Sequence, residues 1–175
     1  MKALLRKDFS MTKEKLGNLI IAKRDTMWRI AISILGNELD SEDAIGNTIV
    51  KAFENWENIR EDKYAATWLL RILINECHNI QRTMYMRMQR EIPLDETIPA
   101  VNIVEEKVRH DVETTELYRA VNKLPEELKI PILLHYIEDY SLKEIAMMEK
   151  VPVGTMKSRM KRAREKLKEL LKDKV

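Results

Sequence analysis

The sequence predicts an all-α protein built as two small helical domains joined by a flexible linker. Three observations carry that prediction. Apolar residues recur at spacings of three and four nearly everywhere, the period of a helix that buries one face. Only 4 Gly and 5 Pro occur in 175 residues, too few turn-formers for a β-sandwich or barrel. One stretch, residues 91–111, breaks the periodicity with Pro93, Pro99 and six acids against two bases, a composition that suits a linker rather than a core element. The chain therefore divides into residues 10–90, a linker over 91–111, and residues 112–175.

The first helical run carries Leu16, Leu19, Ile20, Met27, Ala31, Ile34 and Leu35 on one face, and Gly36-Asn37 supplies its stop. Asp40 and Ser41 are N-cap candidates for the next helix, with Glu42 and Asp43 in a first turn where the helix dipole favours acids. Its apolar stripe is Ile45, Ile49, Ala52, Phe53 and Trp56. A polar break from Glu57 to Lys63 precedes a third helix, from Ala65 to Gln89. Leu69, Leu73, Cys77, Ile80 and Met84 line one side of it; Arg71, Asn75, His78 and Arg82 line another.

Beyond the linker the pattern predicts a helix over 112–124 and a second beginning at Pro125-Glu126. Ser141 and Glu144 form a Ser-x-x-Glu capping box that opens a short helix through Met148. Pro152 suits the first turn of the last helix. That helix places Met156, Met160, Ala163, Leu167 and Leu170 on one side and Lys157, Lys161, Arg164 and Lys168 on another, flanked by Ser158, Arg159 and Arg162. A short helix, a tight turn and a basic second helix make a helix-turn-helix.

Composition narrows the function classes. No apolar run exceeds four residues, so neither a membrane-spanning helix nor a signal-peptide core is expected. The single Cys77 rules out an intramolecular disulfide framework and fits a reducing, cytoplasmic setting. The net charge of +2 hides a polarity: residues 38–62 hold eight acids against two bases, and residues 151–175 hold nine bases against three acids. One partner class is a polyanion. The three histidines are scattered, and the chain has no metal-ligand spacing, phosphate-cradling glycine loop or nucleophile elbow, so no catalytic residue, metal or cofactor is expected.

The basic last helix fits a major groove, with Lys and Arg near its start placed to reach base edges; the plainer alternative is a solvated amphipathic helix. In the third helix and its approach, Trp56, Tyr64, Trp68 and Tyr85 lie near Arg71, Asn75, His78 and Arg82. Aromatic faces beside amides and guanidinium groups suit unstacked bases, although Trp56 and Trp68 also fall on apolar stripes and read as core. The acidic helix from residue 40 reads as a protein-docking or solvated face.

These segments resemble the extracytoplasmic-function (ECF) sigma factors of bacterial RNA polymerase. Asp40-Ser41-Glu42-Asp43-Ala44-Ile45 through Lys51-Ala52-Phe53 is similar to the family's region 2.2, and Thr67-Trp68-Leu69-Leu70-Arg71-Ile72 with Asn75 to its regions 2.3–2.4. Leu124-Pro125-Glu126-Glu127-Leu128 resembles the opening of region 4. Ser141-Leu142-Lys143-Glu144-Ile145-Ala146, Val151-Pro152-Val153-Gly154-Thr155-Met156-Lys157-Ser158-Arg159 and Arg162-Ala163-Arg164 resemble the region 4.2 helix-turn-helix.

The resemblance implies a subunit without enzymatic activity that binds core RNA polymerase and directs it to promoters in an envelope or extracellular stress response. It also implies a cognate, membrane-anchored anti-sigma factor and no small-molecule substrate. Asp40, Asp43, Asn47 and Lys51 would contact polymerase. Asn55, Ile59, Tyr64, Arg71 and Asn75 would handle the single-stranded −10 element, and Lys157, Ser158, Arg159, Lys161 and Arg162 would read the −35 duplex. A stand-alone helix-turn-helix regulator and a helical adaptor for an acidic protein are the alternatives. The chain departs from the family pattern at Gly46-Asn47, at Ile59 and at Glu149-Lys150, where a left-handed Lys150 would carry a steric cost of about 1–2 kcal/mol.

Overall fold

The structure, a computed structural model, describes residues 11–91, 117 and 119–172. Its helices are α1 (Lys13–Ala22), α2 (Arg24–Leu35), α3 (Glu38–Glu54), α4 (Ala65–Glu91), α5 (Glu126–Tyr136), α6 (Leu142–Glu149) and α7 (Val153–Lys172), with 3-10 turns at Trp56–Asn58 and Asp62–Tyr64. Among the described residues no element is a strand, and no helix is long and apolar enough to cross a membrane. The expected linker after residue 91 lies outside the described residues; of the helix expected over 112–124, residues 117 and 119–122 are described and helical, and residues 123–124 form a turn.

The first helical run is two helices rather than one. Lys23 sits at φ −98° and ψ 6°, outside helical geometry. Lys23 closes one ladder and opens the next: its N–H donates to the Leu19 carbonyl (2.9 Å), and its carbonyl accepts from the Met27 N–H (2.8 Å). The triplet Lys23-Arg24-Asp25 is polar, and Lys23 Nζ lies 5.3 Å from the centroid of the Tyr140 ring. Gly36 then ends α2 in the left-handed region at φ 73°, as a glycine stop should.

Asn37, rather than Asp40 or Ser41, caps α3. Its Oδ1 accepts from the Asp40 N–H at 2.9 Å while its Nδ2 donates to the Asp40 carboxylate at 2.6 Å. The buried face of α3 is Ser41, Ala44, Thr48 and Ala52; Ile45 and Ile49 sit at its margin, and Phe53 is exposed. Small residues on that face let α3 lie close against its neighbours. The two hydroxyls stay satisfied by donating to the carbonyls of Asn37 and Ala44, four residues earlier.

The helix-turn-helix follows its sequence signals. The Ser141 Oγ accepts from the Glu144 N–H at 3.3 Å, and the Glu144 carboxylate accepts from the Ser141 N–H at 2.9 Å. Lys150 closes α6 at φ 55°, ψ 40°, in the left-handed region, with its N–H on the Ala146 carbonyl. The unusual residue therefore keeps the turn and bears the strain.

The two halves share one core. Leu69, Leu73 and Cys77 of α4 and Met27, Ile30 and Ile34 of α2 pack in the same cluster as Ile130, Leu134, Ile145, Met148 and Met156. Polar contacts rim this seam. The Glu138 carboxylate, 8% exposed, accepts from the Arg29 guanidinium and from Thr26 Oγ1 at 2.6 Å. Lys129 Nζ donates to the Ser33 carbonyl at 3.2 Å. Gln81 Nε2 donates both to the Ile34 carbonyl (2.9 Å) and to Glu126 (2.7 Å), whose other oxygen meets His78 Nε2 at 2.9 Å.

Lys150→Gly should stabilise the fold by about 1 kcal/mol, because glycine adopts the left-handed turn without the Cβ clash. Calorimetry should show Tm rising by about 2–4 °C. An unchanged or lowered Tm would mean that the Lys150 strain is relieved elsewhere.

Candidate nucleic-acid interface

The first candidate surface is the start of α7. Val153, Gly154, Thr155, Lys157, Ser158, Lys161 and Arg162 are all exposed there. A Cβ at Gly154 would meet nothing within 4 Å, so this turn presents open backbone as well as side chains. The opposite face, Met156, Met160 and Ala163, is buried, which fixes the helix's rotation and aims the cationic face outward.

Of the five residues expected to read duplex, Lys157, Ser158, Lys161 and Arg162 lie on that open face. Arg159 does not. It is 18% exposed, donates to the Glu149 carboxylate at 3.3 Å and stands 3.9 Å from Glu127. In this state it braces α7 against α6. Arg162 Nη2 approaches Glu127 at 3.5 Å but remains more than half exposed. Val153, Gly154 and Thr155 belong to the helix-turn-helix motif but were not among the residues expected to read duplex; their place in the first turn was the available signal.

The second candidate surface is a cavity of about 280 Å³ beside the α3–α4 connection, lined by Lys51, Asn55, Asn58, Trp68, Asn75 and Glu76 among others. The turn Trp56–Asn58 brings Asn58 to it, and α4 supplies Trp68, Asn75 and Glu76. Three amides offer donors and acceptors at once, and the half-buried Trp68 combines core packing with a place in the wall. The Glu76 carboxylate, itself buried, accepts from Lys51 Nζ and from Asn79 Nδ2 (3.4 Å). A polar hollow with an aromatic wall can hold an unstacked base.

Asn55 and Asn75 thus line one cavity. Ile59 belongs to the core at 3% exposure, so its side chain cannot touch a base; burial follows from its position between two tight turns that turn it inward. Tyr64 and Arg71 are exposed outside the cavity lining, with Lys63 Nζ 4.8 Å from the Tyr64 ring centroid. Asn58 lies in the loop from Asn55 to Tyr64 that the resemblance assigns to base capture, whereas Glu76 belongs to no recognisable pattern.

A third candidate surface lies on α3. Asp43 and Asn47 are exposed one turn apart on α3, Asp40 is half-buried in its cap, and Lys51 is turned to Glu76. Large apolar residues stand in water nearby, Leu39 (77% exposed), Val50 and Ile21 among them. On the other half an apolar groove of about 810 Å³ runs between α5 and α7, walled by Val121, Ile132, Tyr136 and Leu167 and rimmed by Arg164 and Lys168.

Comparison with known proteins matches residues 19–90 to sigma-70 region 2 and residues 114–167 to sigma-70, region 4. The RNA polymerase sigma factor SigV of Bacillus subtilis is 30% identical over 154 residues, covering 87% of this chain and 88% of SigV. The ECF RNA polymerase sigma factor SigW of the same organism is 24% identical over 191 residues, covering 99% of this chain and all of SigW. Among solved structures, the sigma factor RpoE in complex with the anti-sigma factor NepR from Bartonella quintana superposes with a TM-score of 0.75 at 22% identity, covering 93% of this chain and 99% of that one. CnrH in complex with the cytosolic domain of CnrY follows at a TM-score of 0.63 and 21% identity, covering 95% and 93%. The two regions in their order, the likeness to SigV over most of both chains and that to SigW over its whole length place this chain in the ECF family of sigma factors.

The brace at Arg159 makes a distinct prediction. Burial raises the Glu149 carboxyl above the usual carboxylate range, while His78 and Arg159 pull it back down. An acid raised on folding contributes stability that is full below its ordinary value and is lost as pH rises through the folded one. Arg159→Ala removes a counter-charge, so it should destabilise by about 1–3 kcal/mol. Urea unfolding should show a larger loss at about pH 7 than at about pH 5. Arg162→Ala, on the open face, should stay within about 0.5 kcal/mol of wild type at both.

Proposed function

We propose that the chain is an alternative sigma factor without catalytic activity of its own, acting in the cytoplasm to bring core RNA polymerase to a set of promoters. The observation that carries the reading is the coexistence of two unlike nucleic-acid surfaces on one chain. The open cationic face of α7 suits a duplex groove, whereas the amide-lined cavity by α4 suits a base removed from its stack. A repressor needs only the first. Opening a duplex costs a few kcal/mol per unstacked base, and a cavity that captures one base offsets that cost while selecting sequence.

In this reading, Lys157, Ser158, Lys161 and Arg162 engage the −35 duplex, with Arg159 holding the helix in place. Asn55 and Asn75, joined by Asn58 and Trp68, receive a base of the −10 element. The α3 face of Asp43 and Asn47, with Leu39 and Val50 beside it, docks on polymerase. A cognate, membrane-anchored anti-sigma factor competes for such surfaces and couples release to envelope stress. The residues 10–90 and 112–175 act as two readers, and the acidic linker between them is repelled by phosphates and adds no duplex affinity of its own. Tethering raises the effective concentration of the second reader once the first is bound.

Run-off transcription with purified core polymerase on fragmented genomic DNA tests the reading. New transcripts that start downstream of a shared pair of spaced motifs, and only when the protein is present, are expected. Tight duplex binding by the protein alone, with no such transcripts, would indicate a stand-alone regulator instead. Arg162→Ala should weaken −35 recognition by about 1–3 kcal/mol. Asn75→Ala should impair −10 selection while leaving duplex binding unchanged, and identical promoter profiles for the two variants would refute the assignment of two readers.

A further inference from the structure

We propose that the free chain masks itself: the seam of α2 and α4 against α5 and α6 holds its two DNA-reading surfaces together, and the charge on the His78 imidazole sets how firmly that seam closes. The masking rests on the function proposed above; the closure itself does not.

Reach makes the closed form incompatible with a promoter. Elements named −10 and −35 lie about 25 base pairs apart, roughly 85 Å of duplex. The longest helix here, α4, has 27 residues and so spans about 40 Å. Within the closed chain, moreover, the two surfaces are linked by a short run of side chains. Asn75 lines the cavity, and His78 stands one turn further along α4. His78 meets Glu126 at 2.9 Å, and Glu127, the next residue, meets Arg162 of α7 at 3.5 Å. Both elements cannot be engaged until this run is broken.

The seam is built to respond to a proton. Every packed element brings a charged or polar group toward His78. Glu126 of α5 bonds it directly, and Glu149 of α6 acts on it through space, with Arg159 of α7 behind Glu149. On α4 itself, Gln81 shares Glu126 and bonds the Ile34 carbonyl of α2; Lys129 adds a cation near Glu126. The bond to Glu126 raises the imidazole above the ordinary histidine value despite burial. Burial opposes ionisation of Glu126, but the bonds from His78 and Gln81 prevail and hold it below the carboxylate range.

The sign follows. Opening removes His78 from Glu126 and returns it toward its ordinary value of about 6.5. Closure is therefore firmest below that value and weakens as pH rises through the raised one. Glu126 remains ionised throughout that window; Glu149, whose carboxyl burial raises, is the other titrating group that faces His78, and the His78→Gln variant below separates the two. The Arg29–Glu138 pair adds a contact to the seam that this titration does not touch.

Energy transfer between dyes on Glu14→Cys and Lys166→Cys, both exposed positions, reads the closure in the whole chain without DNA or polymerase. The native Cys77 stays unlabelled, since burial pushes its thiol up to about 12. Transfer should be high at about pH 5.5 and fall toward about pH 8.5, spanning the histidine range. His78→Gln, which can still donate to Glu126, should lose the pH step while staying closed, and Glu138→Gln should lower transfer at every pH while keeping the step. Uniformly low transfer overturns the closure. A flat, high profile in the wild type, or a step that persists in His78→Gln, overturns the role of His78. If the step appears but promoter-directed transcription does not, closure stands and the sigma reading falls.

Discussion

The Glu138 carboxylate lies almost out of water where α2 meets the turn between α5 and α6, and a charge so placed demands compensation. Desolvating an ion costs several kcal/mol unless its partners are close and well directed. Arg29 and Thr26 supply those partners from α2, so the turn can sit only where α2 presents them. Asp139 helps to aim it by adopting a left-handed backbone at φ 58°, a conformation that aspartate tolerates better than most residues. With that junction fixed, Lys129, Gln81 and Glu126 fall into register along the same seam. Ile130, Leu134 and Met148 then complete a core begun by α2 and α4.

Local signals in the sequence were sufficient where the physics is local. The glycine stop at Gly36, the Ser141–Glu144 box and the strained turn at Lys150 each act within four residues, and each stands where the residues place it. The break at Lys23 was not legible, because no glycine or proline marks it and the two helices share Lys23 as a cap. The burial of Ser41 and Thr48 was missed for a similar reason. A face chosen for closeness uses small residues, and a reading keyed to large apolar ones shifts to Ile45 and Phe53 instead.

The sites divide in the same way. Periodicity alone put Lys157, Lys161 and Arg164 on an exposed stripe, with Arg162 at its flank. It could not separate Arg159, whose buried brace depends on Glu149 of another helix. Asn55 and Asn75 are 20 positions apart and meet because the tight turns fold the connection back on α4. Ile59, between those turns, is consumed by that folding. The shared core across the two halves was beyond the sequence altogether, since an acidic, proline-bearing connection says that two units are tethered and nothing about whether they touch.

Cys77 carries a consequence of a different kind. It is the chain's single thiol, buried, with a pKa of about 12, so at physiological pH it holds almost no thiolate. Thiolate is the species that peroxides, disulfides and electrophiles attack. In its folded form the chain therefore offers thiol oxidants almost no reactive sulfur. Oxidative damage can reach its transcriptional output through cysteine chemistry only if another molecule does the sensing and hands the message on by binding or release.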